Sequence, residues 1–279
     1  MNKFYFKTLF LCLLSFFAVK ASAYDIKVAN ICYDYIKNRT ELAVTYFDNY
    51  AGYSGGVAIP QSVTYNGKKY PVTSIGPEAF RHCSNLVAVS IPNSVTSIGK
   101  YAFEGCSKLA SIHIPNSVTS IDNYAFCNCS GLTSVTIPNS VTSIGYYAFI
   151  WCSKLTSVTI GSNVTSIGDA AFKGCDNIET VVSLIQKVFD ISSDVFSNET
   201  FFNATLYVPA GTARKYEAAD GWKGFFIIND GIPASVTLPV LDTEVIERYS
   251  IDGKQIETPK RGINIVKMNN GKVKKVLIK

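Results

Sequence analysis

The chain of 279 residues is 47% hydrophobic and 17% charged, which excludes a disordered protein and fits one or two folded domains. Its net charge of +5 is uneven, because residues 24–247 carry 14 basic and 19 acidic side chains whereas residues 248–279 carry 9 basic and 2 acidic ones. An acidic body disfavours nucleic acid as a partner. Two histidines, His82 and His113, offer little for zinc binding or acid–base catalysis, so we expect no metal and no cofactor.

The first 23 residues have the pattern of a secretory signal peptide. Lys3 and Lys7 precede an apolar run at residues 8–19, and small residues at positions 21–23 suit signal peptidase. We therefore expect cleavage after Ala23 and a mature protein that is secreted or held at the outer cell surface. The apolar run is shorter than the roughly 20 residues of a membrane-spanning helix, and no later stretch approaches that length, so no transmembrane segment is predicted.

Residues 24–62 contain strand-like pieces without a repeat, and they are predicted to form an N-terminal cap. An Asn66-Gly67 pair between two strand-like flanks then predicts a hairpin. Residues 63–229 are predicted to form one repeat domain with a C-terminal cap, in which a short helix and aromatic residues close the core.

The repeat has a fixed period of 23 residues, and each unit reads approximately VTSIGxxAFxxCSxLxxVxIPNS. The recurring positions include an isoleucine, the phenylalanine of an Ala-Phe pair and a cysteine. The isoleucines are Ile75, Ile98, Ile121, Ile144 and Ile167, and the phenylalanines are Phe80, Phe103, Phe126, Phe149 and Phe172. Such a period is the sequence signature of a repeat architecture.

Each unit has two halves with different patterns. In residues 109–114, apolar Ile112 and Ile114 alternate with other residues, which predicts a short strand that ends at Pro115. Residues 121–129 instead have the spacing of a turn or a short helix. Because 23 residues cannot bury both halves alone, we expect the units to stack with strands about 4.8 Å apart. The predicted fold is a solenoid with a parallel sheet on one face and turns or short helices on the other.

This repeated unit resembles that of the BspA-like leucine-rich repeat family of bacterial surface proteins. The resemblance covers roughly residues 60–230. It implies a curved leucine-rich-repeat solenoid with a role in adhesion or protein binding, a functional expectation that the period alone does not supply.

The end of the chain is predicted to be a second, smaller unit. Residues 230–244 contain two prolines and are predicted to be a linker. Beyond them, strand-like runs at residues 245–250, 263–268 and 273–278 are separated by turn sequences and predict a small all-β module.

The module at residues 245–279 resembles the C-terminal sorting domains of type IX secretion substrates. The resemblance rests on the patterns YSIDGK at 249–254, RGINIVK at 261–267 and KVKKV at 272–276. It implies passage across the outer membrane, usually with loss of the tail. The alternative is a small β cap that carries a solubilising basic strand.

Five of the seven cysteines that follow the signal peptide share one repeat position: Cys83, Cys106, Cys129, Cys152 and Cys175. We interpret them as a structural ladder, because a small and easily buried side chain suits stacked coils. A disulfide between coils and a metal site at Cys127 and Cys129 are weaker alternatives, since parallel side chains suit a disulfide poorly and no second ligand pair is nearby. A nucleophile pair of His82 with Cys83 or Cys106 conflicts with burial, which raises the pKa of a thiol.

Two surfaces are candidate binding sites. The first is an uncharged, hydrogen-bonding row on the sheet that suits a protein or a glycan. It comprises Ser90, Ser111, His113, Ser134, Thr136, Ser157 and Thr159. The second is an aromatic face on the opposite half of the unit, and aromatic residues are enriched at binding hot spots. It comprises Tyr101, Tyr124, Tyr146, Tyr147 and Trp151, although a row of tyrosines can also cover the edge of a core.

These features predict an exported, non-enzymatic leucine-rich-repeat protein that binds a protein or glycan ligand at the cell surface. The alternative function is that of a structural envelope or spacer protein without a specific ligand. A cysteine-dependent hydrolase is the third hypothesis, and it requires a reactive thiol.

Overall fold

The computed structural model describes residues 24–47 and 52–232, together with three strands beyond residue 244. The predicted signal peptide at residues 1–23, and residues 233–244 of the predicted linker, lie outside the described residues. The chain divides into two compact units, Met1–Ile232 and Pro233–Lys279.

The first unit is built from short strands joined by turns. Its strands are β1 (Ile26–Val28), β2 (Ile31–Ile36), β3 (Glu41–Thr45), β4 (Gly55–Ala58), β5 (Ser62–Tyr65), β6 (Lys68–Ile75), β7 (Leu86–Ser90), β8 (Ser97–Ile98), β9 (Ser120–Ile121), β10 (Ser134–Thr136), β11 (Ser143–Ile144), β12 (Ser157–Ile160), β13 (Ser166–Ile167), β14 (Thr180–Ser183), β15 (Thr205–Val208) and β16 (Ile227–Asp230). Its later part also contains helices α1 (Asn198–Asn203) and α2 (Ala213–Ala218) and a 3₁₀ turn at Trp222–Gly224.

The predicted solenoid with a parallel sheet is confirmed. Strands β10, β12, β14, β15 and β16 pair in parallel in that order and form the wide sheet. In β10, β12, β14 and β15, every second residue points inward and is buried, as Val135, Val158 and Val181 do. Strands β4 and β7 pair in the same parallel manner in earlier coils. Residues 109–114 keep the alternation, with Ile112 and Ile114 buried, but do not form the strand that the sequence predicts.

A second parallel ladder, which the sequence analysis did not anticipate, joins the Ser-Ile pairs of successive coils. In this narrow ladder the Ser-Ile end of β6 pairs with β8, β8 with β9, β9 with β11 and β11 with β13. The isoleucines point into the core and are buried. Strands of two residues are too short to show a period-two pattern, and their sequence signal is therefore absent.

In the regular coils the remaining part is a series of turns, whereas the last coils contain the short helices α1 and α2, so the predicted turns and short helices both occur. Hydrogen bonds also link the turns of neighbouring coils: the N–H of Phe103 donates to the carbonyl of Ala125 at 2.7 Å, and the N–H of Phe126 donates to that of Ala148 at 2.7 Å. The coils that contain β10 and β12 are thus bonded to each other at three places: the wide sheet, the narrow ladder and the turns.

A row of phenylalanine rings runs through the centre of the core. Phe80, Phe103, Phe126, Phe149, Phe172 and Phe196 are buried, and consecutive rings stack with centroids 4.9–5.3 Å apart and planes 3–10° from parallel. We call these six side chains the phenylalanine row. Phe196 continues the row although the surrounding repeat has diverged, so the stack extends beyond the regular sequence.

Tilted aromatic rings close both ends of the phenylalanine row. At one end the Tyr53 ring lies 4.7 Å from that of Phe80 at an interplanar angle of 50°. At the other end Phe225 lies 5.1 Å from Phe196 at 71°, and Trp222 lies nearby. Rings in this orientation offer no parallel surface for a further coil, as the ends of a solenoid require.

The N-terminal strands form an antiparallel meander, β1-β2-β3, whose last strand pairs in parallel with β6. Strands β5 and β6 form the hairpin predicted at Asn66-Gly67. Strand β4, which lies within the predicted cap of residues 24–62, already pairs with β7.

The second unit contains β17 (Val245–Ser250), β18 (Gly262–Met268) and β19 (Val273–Ile278). They form an antiparallel sheet in the order β17-β18-β19. The predicted small all-β module is confirmed, with strand ends within one residue of those predicted.

Candidate functional site

The five cysteines of the repeat form a buried row beside the phenylalanine row. Their side chains are at most 4% exposed, and none of the five forms a disulfide. In four coils the thiol donates a hydrogen bond of 3.0–3.2 Å to the carbonyl of a phenylalanine in the preceding coil. The donors are Cys106, Cys129, Cys152 and Cys175, and the acceptors are Phe80, Phe103, Phe126 and Phe149. The cysteine therefore joins coils as well as filling space.

This burial suppresses thiol chemistry. Desolvation raises the pKa of Cys83 to about 11 and holds the pKa values of Cys129 and Cys152 well above their usual range. His82 is exposed, and its Nδ1 lies 2.8 Å from the position that a β-carbon on Gly105 would occupy. The geometry therefore gives the hydrolase hypothesis no support, because Cys83 and Cys106 are buried and the Cys106 thiol donates to the Phe80 carbonyl rather than to His82.

The structure also gives no support to the weaker hypothesis of a metal site at Cys127 and Cys129. The two side chains pack in different clusters: Cys129 belongs to the main core, whereas Cys127 packs with Ile150 and Ala170 in a second, small cluster. Within residues 24–47 and 52–232, no three His, Cys, Asp or Glu side chains converge as metal ligands would.

The predicted hydroxyl row lies on or beside the wide sheet. Ser90, Ser111, His113 and Ser134 are exposed, and Thr136 and Ser157 are half-buried. Thr159 requires a correction, because its side chain is 3% exposed. Across the wide sheet, Thr159 lies in register with Thr136 on one side and with Val182 and then Tyr207 on the other. Val182 is larger than Thr159 and is itself buried. The accessible hydroxyl row is therefore shorter than predicted.

Three of the predicted aromatic residues form a second stacked row. The rings of Tyr101, Tyr124 and Tyr147 lie 4.8 Å apart, with planes 26° and 14° from parallel, and are half-buried. Tyr124 and Tyr147 pack against the small cluster that contains Cys127 and Ile150. This tyrosine row covers the outer edge of the coils, as the alternative interpretation expects.

The tyrosine row occupies an unusual backbone conformation. Its φ angles are 58°, 59° and 59°, and Glu78 and Ala170 at the same repeat position have φ angles of 58° and 55°. Left-handed backbone is uncommon for residues other than glycine and is most unusual for bulky side chains. The turn imposes this conformation in each coil, because the N–H at this position must reach the next coil, as the Tyr124 N–H does to the Tyr146 carbonyl at 2.9 Å.

Trp151 stands at the second left-handed position of its turn, with φ of 60°. Its side chain is 59% exposed, although the neighbouring Ile150 is buried. A β-carbon on Gly174, the equivalent residue of the next coil, would lie 2.5 Å from Cδ1 of the indole. The glycine therefore leaves the space that Trp151 occupies, just as Gly105 leaves space for His82.

Tyr146, the remaining member of the predicted aromatic face, stands apart from the tyrosine row. Its side chain is 52% exposed, and its N–H donates to Oδ1 of Asn123 in the preceding coil at 2.8 Å. The structure thus divides the predicted aromatic face into a half-buried row of three tyrosines and two exposed side chains, Tyr146 and Trp151.

A pair of exposed aromatic residues in the C-terminal cap was not predicted from the sequence. Phe202 and Phe226 are 69% and 75% exposed, and their ring centroids are 5.6 Å apart. The available signal was a doubled phenylalanine at 201–202 and again at 225–226. In each pair the first ring is buried in the core and the second is exposed.

Comparison with known proteins agrees with this geometry. Residues 73–203 match, in six copies, the family model described as the BspA type leucine rich repeat region. This segment, slightly less than half of the chain, is similar to the BspA-type leucine-rich repeat region. No curated protein matches the sequence of the chain. Within the described residues, no helix has the length and apolar character needed to cross a membrane.

Solved structures share the fold. A leucine-rich repeat protein of T. pallidum is similar at 29% identity and a TM-score of 0.57, over 66% of this chain and 81% of that one. A leucine-rich repeat protein from Bacteroides ovatus is similar at 28% identity and a TM-score of 0.54, over 68% of this chain and 56% of that one. The pneumococcal vaccine antigen PcpA shares the fold at 20% identity and a TM-score of 0.52, over 75% of this chain and 49% of that one.

Proposed function

We propose that the chain is an exported, non-enzymatic repeat protein that binds a protein partner at the cell surface, with Trp151 at the centre of the contact. The observation that carries the proposal is the exposed indole held over Gly174. A large aromatic side chain in a fixed orientation loses little conformational entropy on binding. Such residues account for much of the affinity at protein interfaces.

The hydroxyl row is the weaker candidate for the same role. Its side chains are small, and the burial of Thr159 interrupts it. Hydroxyl groups that are already solvated contribute little net free energy when they exchange water for a partner. A partner seated on the tyrosine-row side of the coils would instead gain apolar contact area at Trp151.

Direct binding tests this function. The mature chain, residues 24–279, is used to capture proteins from host matrix and bacterial envelope extracts, and each captured protein is then purified and titrated. Trp151→Asn should weaken its affinity by about tenfold or more, as expected for a hot-spot residue. Asparagine already occupies the equivalent left-handed position at residue 128, so this variant should fold.

Phe226→Ala is the matched control, because it removes another exposed aromatic side chain from a different surface. Its affinity should equal that of the unaltered protein. Equal losses in both variants would indicate nonspecific apolar adhesion. Failure to find any partner that Trp151→Asn weakens would favour the structural spacer function.

Export is supported by the signal-peptide pattern at residues 1–23 and by the resemblance of residues 245–279 to sorting domains. N-terminal sequencing of the secreted protein should begin at Tyr24, and a retained Met1 would contradict export by this route. Deletion of residues 245–279 should trap the protein inside the outer membrane and leave its melting temperature nearly unchanged. A drop of several degrees, which corresponds to a loss of about 1 kcal/mol or more, would instead identify the tail as a structural cap.

A further inference from the structure

A groove runs across the narrow ladder, on a part of the surface that the proposed protein contact at Trp151 does not use. It encloses about 530 Å³ and crosses four coils. Hydroxyl-bearing Ser97, Ser120, Ser143 and Ser166 line its floor in parallel register, while the isoleucines beside them point into the core. Three spacings between coils amount to about 14 Å, which suits an extended ligand rather than a single small molecule.

The sides of the groove carry hydrogen-bonding groups and one aromatic ring. Asp122, Asn123, Tyr146 and Asp169 line it, and Tyr146 is 52% exposed. Oδ1 of Asn123 accepts the N–H of Tyr146, so the amide –NH₂ of Asn123 remains available as a donor. Two carboxylates, one amide and several hydroxyls thus surround an exposed aromatic face.

Asp122 departs from the repeat at a position where the coils leave almost no room for a side chain. The equivalent residues are Gly76, Gly99, Gly145 and Gly168. A β-carbon on Gly99 would lie 2.8 Å from the Pro77 nitrogen, and one on Gly145 would lie 2.5 Å from the Asn123 nitrogen. Packing alone therefore favours glycine at residue 122. One carboxylate oxygen of Asp122 accepts the N–H of Asn123 at 2.7 Å, but this local bond does not need a residue that breaks the packing rule, and such departures are expected at functional sites.

The charges of the groove limit the class of ligand. The residues that line it include two aspartates and no lysine or arginine. Lys100 shares the repeat position of Asn123, Tyr146 and Asp169, but its Nζ lies 5.0 Å from the ring centre of Tyr101. Phosphate, sulfate and uronate groups would meet carboxylates without a compensating cation, which disfavours anionic ligands.

We propose that this groove binds a neutral oligosaccharide. Sugar hydroxyls pair with carboxylate, amide and hydroxyl groups. The negative face of the Tyr146 ring attracts the polarised C–H groups of a sugar. An extended peptide is a poorer match, because it needs free backbone partners or pockets for its side chains. The backbone of the narrow ladder is already paired between coils.

Titration calorimetry of the mature chain tests this proposal with four probes: maltohexaose, cellohexaose, mannohexaose and xylohexaose. At least one should bind, and both Tyr146→Ala and Asp122→Gly should weaken it by about tenfold or more. Asp122→Gly restores the residue that the repeat uses elsewhere, so its melting temperature should not fall. Trp151→Asn should bind the same sugar normally, which separates this site from the protein contact.

A heparin hexasaccharide and a lysine-rich peptide serve as competing ligands. Binding of the heparin fragment or of the peptide without any neutral hexaose would overturn the proposal. So would the absence of binding by all four neutral probes, or sugar binding that neither groove variant weakens.

Discussion

The phenylalanine row and the tyrosine row are both stacks of aromatic rings, yet they differ in regularity. Six phenylalanines stack within 10° of parallel inside the core. Three tyrosines stack at the surface with planes up to 26° from parallel, and Glu78 and Ala170 stand at the ends of their row. The spacing is similar in both because the distance between coils sets it. What differs is burial, and burial decides whether the residue can change from coil to coil.

The comparison shows why a repeat protein can change its surface residues without changing its core. A buried side chain contacts both neighbouring coils, so a substitution there disturbs the packing of both coils. An outer position contacts its neighbours along one edge and meets water along the other. Exposed Trp151 and Tyr146 belong to coils whose phenylalanine and cysteine are unchanged. Exposed residues can therefore vary while the core stays constant.

The largest expected effect lies in the phenylalanine row. Phe126→Ala should lower the free energy of unfolding by about 3–5 kcal/mol, because a large buried ring is removed between two stacked neighbours. Denaturant melts of the variant and the unaltered protein measure the difference. A loss below about 1 kcal/mol would show that the coils close the gap by sliding together.

Phe196→Ala tests whether the last ring of the phenylalanine row stabilises the protein as much as a central ring does. The diverged sequence around Phe196 suggests a smaller cost, but the ring stacks on Phe172 and contacts Phe201, Trp222 and Phe225. We therefore expect a loss comparable to that of Phe126→Ala, in the same range of about 3–5 kcal/mol. A much smaller loss would place the end of the cooperative core before Phe196.

The tyrosine row should contribute less. Tyr147→Ala should cost about 1 kcal/mol, because the ring stacks on Tyr124 and remains half-exposed. Tyr147→Gly should cost about 1 kcal/mol less than the alanine variant, since φ of 59° strains any residue with a β-carbon. Equal melts for the two variants would argue that the turn relaxes when the tyrosine is removed.

Cys127, which packs beneath the tyrosine row, should impose a modest dependence on pH. Desolvation raises the pKa of Cys127 to about 11, whereas an unfolded thiol titrates near pH 8.5, so the unfolded state loses its proton first as the pH rises. The contribution to stability is thus complete below about pH 8.5 and is lost towards pH 11. Urea melts at several alkaline pH values should fall less steeply for Cys127→Ala than for the unaltered protein. Parallel curves would contradict this.

The smallest effect on stability should come from Trp151→Asn. The indole is mostly exposed, and asparagine tolerates left-handed backbone, so the free energy of unfolding should change by no more than about 0.5 kcal/mol. Thermal melts measure this change, which should contrast with the loss of partner binding. A destabilisation like that of Phe126→Ala would assign Trp151 to the core rather than to recognition.

Much of the fold follows from the sequence because the phenylalanine, cysteine and isoleucine positions recur in phase. The stacked coils, the parallel sheet and the small β module are therefore predictable. The narrow ladder is not, since its two-residue strands show no alternation of their own. The end of the phenylalanine row at Phe196 was also obscured, because the ring keeps its place after the surrounding motif has diverged.

The surface was harder to predict from the sequence. Burial of Thr159 depends on neighbours from other coils, which no single unit shows. Exposure of Phe202 and Phe226 depends on the tertiary packing of the C-terminal cap. The 23-residue period predicts only which residues of the regular repeat are buried. Asp122 could have been noticed as the one departure from a glycine column, but the reason for that column becomes visible only when the coils are seen in contact.

The bonds between coils have a consequence for how such a chain changes length. Thr119, Thr142 and Thr165 each donate a hydroxyl to the carbonyl 23 residues earlier, as the cysteines donate thiols to the preceding coil. Each coil thus presents its successor with the same set of acceptors that it found on its predecessor. A segment of 23 residues that is duplicated or removed by recombination therefore leaves these hydroxyl and thiol bonds in place between the regular coils. Each such event shifts Trp151 or Tyr146 by about 4.8 Å relative to one end of the stack. The distance from either exposed side chain to one end of the stack is thereby a heritable quantity that changes in equal steps.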